Sequence, residues 1–176
     1  MVLDSTYHGM ASLDSLTADM VVVSTSKGTQ VATPPYGNYM VWCLGPDGRI
    51  FFGKANEYRI SVVDRELKPL RVLSRKVPSV KISGEERKKY NDQMPPDIVA
   101  AAKFPDAKPP VEGLYCDSAG YLLVDRAVAS GAKAALLDVY RSDGSFLGEL
   151  SLPGLRSRPV FDKDTILMRV TSGKEM

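Results

Sequence analysis

Short β-type runs separated by tight turns occur in the same order twice along this chain, and this internal repeat constrains the fold more than any other feature. The runs of the first copy, and the one before them, are five to seven residues long and rich in Val, Ile, Phe and Tyr: 20–24, 39–44, 49–54, 58–64 and 70–75. The runs of the second copy lie at 114–116, 121–124, 136–140 and 145–150. A third copy begins near residue 158 and stops after about two strands. The repeat predicts equivalent antiparallel four-stranded sheets.

Turn residues align the two copies. Residues 45–48, Gly-Pro-Asp-Gly, place a proline of fixed φ before a glycine that tolerates positive φ, which predicts a hairpin turn. Gly48 and Gly120 occupy the same place in their copies, an offset of 72 residues, whereas the last strands are offset by 77 residues. The five extra residues fall in the loop 127–133, where an insertion is tolerated best. The turn at 65–68 has no glycine, so we expect a type that ordinary residues adopt.

A segment of different character, residues 77–110, separates the two copies. Ser83 and Glu86 have the spacing of a capping box, in which each side chain accepts from the other residue's backbone amide. This pattern predicts one short helix near 84–93, ended by the two prolines at 95–96. The rest of the segment, rich in proline, is expected to be extended.

Composition excludes several functions. The formal net charge is +2, from 23 Lys and Arg against 21 Asp and Glu, which gives no field strong enough to indicate nucleic acid. No apolar run approaches the roughly 18 residues of a membrane span. Residues 1–19 are weakly periodic, so we expect a poorly ordered lead-in before a single unit at 20–176, and they lack the pattern of a signal peptide.

Units of four strands and about 40 residues, with Asp-Gly turns after the first and third strands, resemble blades of a β-propeller. Residues 56–64 resemble the stretch of an NHL repeat in which Asn and Arg-Ile precede an alternating strand ending in Asp, and residues 139–147 resemble its third turn. The chain is similar to NHL-like and TolB-like six-bladed propellers of uncharacterised bacterial proteins. The resemblance implies an all-β fold, a partial β-propeller of about three four-stranded antiparallel blades with one short helical insertion, and a family that is often exported.

Such a unit cannot close a ring alone. Without the 34-residue insertion, 142 residues remain for about three blades, whereas closed propellers have at least about four. We therefore expect the C-terminal half of a longer propeller, a second copy of the chain that completes the ring, or an open arc. Blade faces with apolar residues such as Val62, Leu123 and Leu137 would then be uncovered and favour association.

The resemblance implies a non-catalytic module that binds a ligand or scaffolds a protein, with a peptide or glycan as a possible ligand. The alternative is a propeller-type hydrolase or lyase whose channel carboxylates hold a divalent cation. Aromatic and Arg side chains near a propeller mouth make good contact surfaces, although Trp42 could instead pack between blades. No catalytic residue, metal ligand or cofactor is assigned. The candidate ligand-binding residues are Tyr39, Trp42, Tyr58, Arg59, Asp125 and Arg126.

Two carboxylates lie within apolar runs, where burial requires a partner. For Asp125 and Asp138 we expect structural ion pairs. Arg126 adjoins Asp125 in the sequence but points to the other face of the sheet. The remaining candidate partners are Arg141, Lys133 or a residue of a neighbouring blade. Other acidic residues are expected to form turns by bonding nearby amides: Asp47, Asp117 and Asp143.

The remaining reactive side chains are few. His8 is the one histidine and lies in the lead-in with no Ser or Cys motif around it, which indicates an incidental surface residue. Cys43 and Cys116 lie one residue out of step in the two copies, so strand alternation predicts opposite faces. Buried free thiols are expected rather than a disulfide or a redox pair.

Overall fold

The computed structural model describes residues 2–3, 9–11, 19–25, 28–153, 160–162 and 165–167. Two hairpins come first, β1 (Val2–Leu3) with β2 (Gly9–Ala11) and β3 (Val21–Thr25) with β4 (Gly28–Ala32). Most of the predicted lead-in, His8 included, lies outside the described residues. The second strand of the second hairpin was not predicted.

Both copies of the repeat form the antiparallel four-stranded sheets expected of them. The first sheet contains β5 (Met40–Leu44), β6 (Ile50–Lys54), β7 (Arg59–Val63) and β8 (Pro69–Ser74), in that order. The second contains β9 (Val111–Cys116), β10 (Leu122–Arg126), β11 (Ala134–Tyr140) and β12 (Phe146–Pro153). Of the third copy, the structure describes a hairpin of β13 (Val160–Asp162) and β14 (Thr165–Leu167). The prediction of a mostly β protein with antiparallel sheets is confirmed.

The turns follow the aligned residues with one exception. Gly48 and Gly120 have φ values of 82° and 86°, as their matching places require. The glycine-free turn at 65–68 was expected to be of a type that ordinary residues adopt, yet Leu67 has φ 62°, in the left-handed region that such residues rarely enter. The carboxylate of Asp64 accepts from the amides of Glu66 and Lys68 at 2.9 Å each, and these two bonds hold the turn in spite of the cost of that conformation.

The two sheets pack face to face, with β5 of the first beside β9 of the second. A backbone hydrogen bond joins them, from the Val111 amide to the Ala55 carbonyl over 3.2 Å. Val62, Leu123 and Leu137, which were expected to be uncovered, are all buried. The core between the sheets contains large apolar side chains from both: Val41, Phe51, Ile60, Val62, Leu73, Leu114, Leu122 and Val124.

The inserted segment holds two helices rather than one. Helix α1 (Gly84–Gln93) begins with the predicted capping box, in which Ser83 Oγ accepts from the Glu86 amide and Glu86 accepts from the Ser83 amide. Helix α2 (Pro96–Ala101) was missed, because proline stops a helix from within but suits its first turn. In the described part of the chain, no helix has the length and apolar character that crossing a membrane requires.

Replacing Ser83 with Ala is expected to destabilise α1 by about 0.5–2 kcal/mol, because the Glu86 amide loses its acceptor. Hydrogen exchange should become faster at the amides of 84–93 and stay unchanged in β5–β12. Global unfolding of the variant would contradict this expectation and would make the insertion part of the core.

Candidate functional site

A cleft of about 480 Å³ opens where the inserted segment crosses the ends of the two sheets. Its apolar wall includes Val77, Val80 and Pro109. Among the described residues that line it, four carry a positive charge and none is Asp or Glu. The polar and charged lining residues are Tyr36, Asn56, Tyr58, Arg75, Lys76, Ser79, Lys108 and Arg126.

A buried polar network forms one side of the cleft and joins the two sheets. Asp138, on β11, is fully buried. Its Oδ1 accepts from Arg75 Nη1 at 2.7 Å and from Arg126 Nη1 at 3.2 Å, and its Oδ2 accepts from Tyr58 Oη at 2.6 Å. Tyr58 and Arg75 belong to the first repeat, whereas Arg126 lies on β10 beside Asp138. Burial, and next the hydrogen bond to Asp138, raises the pKa of Tyr58, so the phenol stays protonated and donates.

The same two arginines bind a second carboxylate at the surface. Glu149 Oε1, on β12, lies 2.8 Å from Arg75 Nη2 and 2.8 Å from Arg126 Nη1. The hydrogen bond from Arg75 is the largest cause that holds the pKa of Glu149 below its usual range. The Arg75 guanidinium also lies over the Phe146 ring, 4.2 Å from its centroid. Both guanidinium groups are therefore held in place at the cleft by several contacts.

A third cation is positioned by helix α1. Lys108 Nζ lies 2.6 Å from Glu86 Oε1 and donates to the Val128 carbonyl at 2.8 Å. Burial alone would raise the pKa of Glu86, but the Lys108 ammonium and the Ser83 amide lower it to about 2. Glu86, which takes part in the capping box of α1, therefore also holds Lys108 beside the cleft.

Asp125 lies apart from this network, on the opposite face of the second sheet. Its Oδ2 is 3.5 Å from Tyr115 Oη. Burial raises the pKa of Asp125 to about 7, and the negative charge of Glu112 adds to the shift. Burial also raises the pKa of Glu112. Within the described ranges, no three His, Cys, Asp or Glu side chains come together as metal ligands.

The structure brings together two of the six candidate ligand-binding residues, Tyr58 and Arg126, both in the cleft. Tyr39 instead bonds the Glu112 carbonyl at 3.3 Å, and Trp42 lies exposed on the outer face of the first sheet. Arg59 is exposed at the start of β7. Asp125 has no ion pair among the described residues, so that expectation is not met.

For Asp138 the expected partners were partly wrong. The neighbouring repeat does supply two of them, Tyr58 and Arg75, but Arg126 is the third. Val124 pairs with Asp138 and Arg126 pairs with Leu136, so Arg126 and Asp138 share one face of the sheet. The acidic turn residues bond backbone amides as predicted: Asp47 that of Arg49, Asp117 that of Tyr121, and Asp143 that of Ser145.

The two cysteines are free thiols, but they face each other. Cys43 Sγ and Cys116 Sγ lie 2.9 Å apart, and both residues are half-buried. As predicted, the two cysteines lie on opposite faces of the repeated unit. The two sheets, however, pack with one face of the first sheet against the opposite face of the second. The one-residue offset therefore brings the two sulfurs together. The hydrogen bond with Cys116 and then burial raise the pKa of the Cys43 thiol.

Comparison with known proteins adds no identity. No family model matches the chain. No curated protein matches it either. The functional conclusion therefore rests on the cleft and on the residues that line it.

Proposed function

We propose that this chain is a non-catalytic binding module of the β-propeller type, and that its cleft binds a small anionic molecule with an apolar portion. The observation that carries the proposal is the lining of the cleft, four cations without an acidic residue among the described positions. Two equivalent four-stranded sheets packed face to face are what successive blades of a propeller would provide, which supports the architecture.

The cationic groups favour a carboxylate or a phosphate. Arg126 uses only its Nη1 in the hydrogen bonds found among the described residues, so its other donors can serve a ligand. Arg75 is partly exposed to the cleft, with 29% of its side-chain surface accessible. Lys76 has no ion pair within the described part of the chain and adds an uncompensated charge at the rim. Planar guanidinium groups bind such anions through paired hydrogen bonds.

The same contacts argue for binding rather than catalysis. Asp138 is the carboxylate to which three of the cleft-lining residues are bonded, and it already accepts from all three donors, Tyr58, Arg75 and Arg126. A general base needs a lone pair within reach of the substrate proton, and this buried carboxylate offers none to the cleft. The ion pairs therefore position cations for recognition. The apolar wall fits the less polar part of the ligand.

Calorimetric titration with four matched probes tests the proposal. We expect phenyl phosphate and benzoate to bind, and benzamide and benzylamine to bind at least about tenfold more weakly, since they lack the negative charge. Lys76→Gln should weaken phenyl phosphate binding about three- to fivefold. Lys88→Gln, on α1 and outside the cleft, is the matched control and should change nothing. Equal affinity for all four probes, or no binding of either anion, would overturn the proposal.

A further inference from the structure

The two cysteines of the chain meet where the two sheets pack together. Cys43 lies on β5 and Cys116 on β9, and these are the edge strands of their sheets that lie beside each other. The two sulfurs are 2.9 Å apart, and both residues are half-buried at the margin of the core. Two thiols thus face each other between the sheets, and each residue keeps part of its surface exposed to solvent.

The register of β5 and β9 holds the two sulfurs together. Just before β5, Tyr39 Oη donates to the Glu112 carbonyl of β9 at 3.3 Å. This pair and the cysteine pair are both separated by 73 residues along the chain, so the two strands keep one register between the two contacts. Val41 and Leu114, which lie between these contacts, are buried in the core. The short distance between the thiols therefore follows from the packing of two strands and not from the orientation of one side chain.

We propose that Cys43 and Cys116 are a modification site, at which a low-molecular-weight disulfide such as oxidised glutathione oxidises them to a disulfide that crosslinks the two sheets. The sulfurs of a disulfide lie about 2.0 Å apart, so closure shortens the present separation by about 1 Å. In the described part of the chain, no third His, Cys, Asp or Glu side chain joins the two thiols as a metal ligand. The pair therefore fits a crosslink better than a metal site.

The reaction proceeds by two thiol–disulfide exchanges. The thiolate of one cysteine attacks a sulfur of the small disulfide, whose S–S bond breaks and releases one small thiolate. The thiolate of the other cysteine then attacks the protein sulfur of this mixed disulfide and expels the second small thiolate. The two cysteines are oxidised, the small disulfide is reduced to two thiols, and the two cysteine protons end on these thiols. Because the thiolate attacks and the pKa of the Cys43 thiol is raised, we expect crosslinking to be slow at about pH 7 and faster at about pH 9.

The crosslink fixes the two sheets at the end opposite to the cleft. The cysteines lie near the turns 45–48 and 117–120, which connect β5 to β6 and β9 to β10. The cleft opens at the other end of these strands, where Asn56 follows β6 and Pro110 precedes β9. A disulfide restricts the unfolded chain, and this one spans 73 residues, so we expect oxidation to raise the melting temperature by about 5–15 °C.

Incubating the purified chain with oxidised glutathione tests the proposal. We expect both thiols to become unreactive toward a maleimide, without a glutathione adduct in the intact mass. Tryptic mapping without reductant should join peptide 28–49 to peptide 104–126. The melting temperature should rise as stated, and dithiothreitol should reverse the rise. The matched control is Cys43→Ser, which retains one thiol and should show no such rise.

Three results contradict the proposal. The first is a chain that keeps both thiols reactive after prolonged oxidation at about pH 9. The second is a chain in which each cysteine carries a glutathione, or one that forms disulfides only between two copies. The third is an internal disulfide that leaves the melting temperature unchanged or lowers it, which would mean that it does not hold the sheets together. None of these results depends on the ligand of the cleft, so the two proposals fail separately.

Discussion

Replacing Asp138 with Ala is expected to lower the free energy of unfolding by about 3–5 kcal/mol, because it removes one side of a buried ion pair. The change leaves Arg126, 8% exposed, with Glu149 as its carboxylate partner and takes an acceptor from Tyr58 and from Arg75. The network joins the two sheets, so its loss weakens their contact as well as the local pairing. Urea unfolding followed by circular dichroism measures the difference.

Two comparisons make the measurement specific. Glu66→Ala breaks an exposed ion pair with Lys68, 3.7 Å long, and should cost less than about 1 kcal/mol. The double variant Asp138→Leu with Arg126→Met removes both charges and should recover much of the stability lost in the single variant. A loss below about 1 kcal/mol for Asp138→Ala would show that the network does not hold the sheets together.

Asp125 gives the second large effect, which depends on pH. Its carboxyl has a pKa of about 7 in the folded chain against 3.8 for the unfolded reference, so the unfolded state releases its proton first. Stability should therefore fall as pH rises from about 4 to about 7 and should level off above that. A shift of this size corresponds to a contribution of about 4 kcal/mol.

The Asp125→Asn variant isolates this group, because an amide does not titrate. Relative to the wild type, we expect the variant to gain stability progressively from pH 4 to pH 7 and to keep the gain at pH 8. Glu57→Gln, at an exposed turn position, serves as the control and should show no such trend. A constant difference between wild type and Asp125→Asn across this range would contradict the raised pKa.

Strands and turns could be predicted because their signals are local. Alternating apolar residues and the Asp-Gly turns place most strands of both repeats within one to three residues of their observed bounds. Helix α2 was missed because the prolines at 95–96 were interpreted only as the end of α1. Proline is also favoured in the first turn of a helix, and α2 begins at Pro96. Leu67 shows the same limit, since its positive φ depends on two hydrogen bonds from backbone amides to the Asp64 carboxylate.

The site was harder to predict because its contacts cross from one sheet to the other. Asp138 was singled out by its place in an apolar run, but nothing local identifies Arg75 as its partner, 63 residues away. Tyr58 and Arg126 were selected as candidate ligand-binding residues and do line the cleft. The contact between Cys43 and Cys116 was not predicted for a related reason. Alternation of side chains along one strand does not show which faces of two sheets pack together.

Backbone amide chemical shifts during a titration with phenyl phosphate test the central claim, that the cleft where the inserted segment crosses the ends of the two sheets is the binding site. We predict that the largest shifts fall on the cleft residues Asn56, Lys76, Val77, Lys108 and Ala127. Amides beside Trp42, on the outer face, should not move. Shifts scattered over the surface, or concentrated away from the cleft, would contradict the claim.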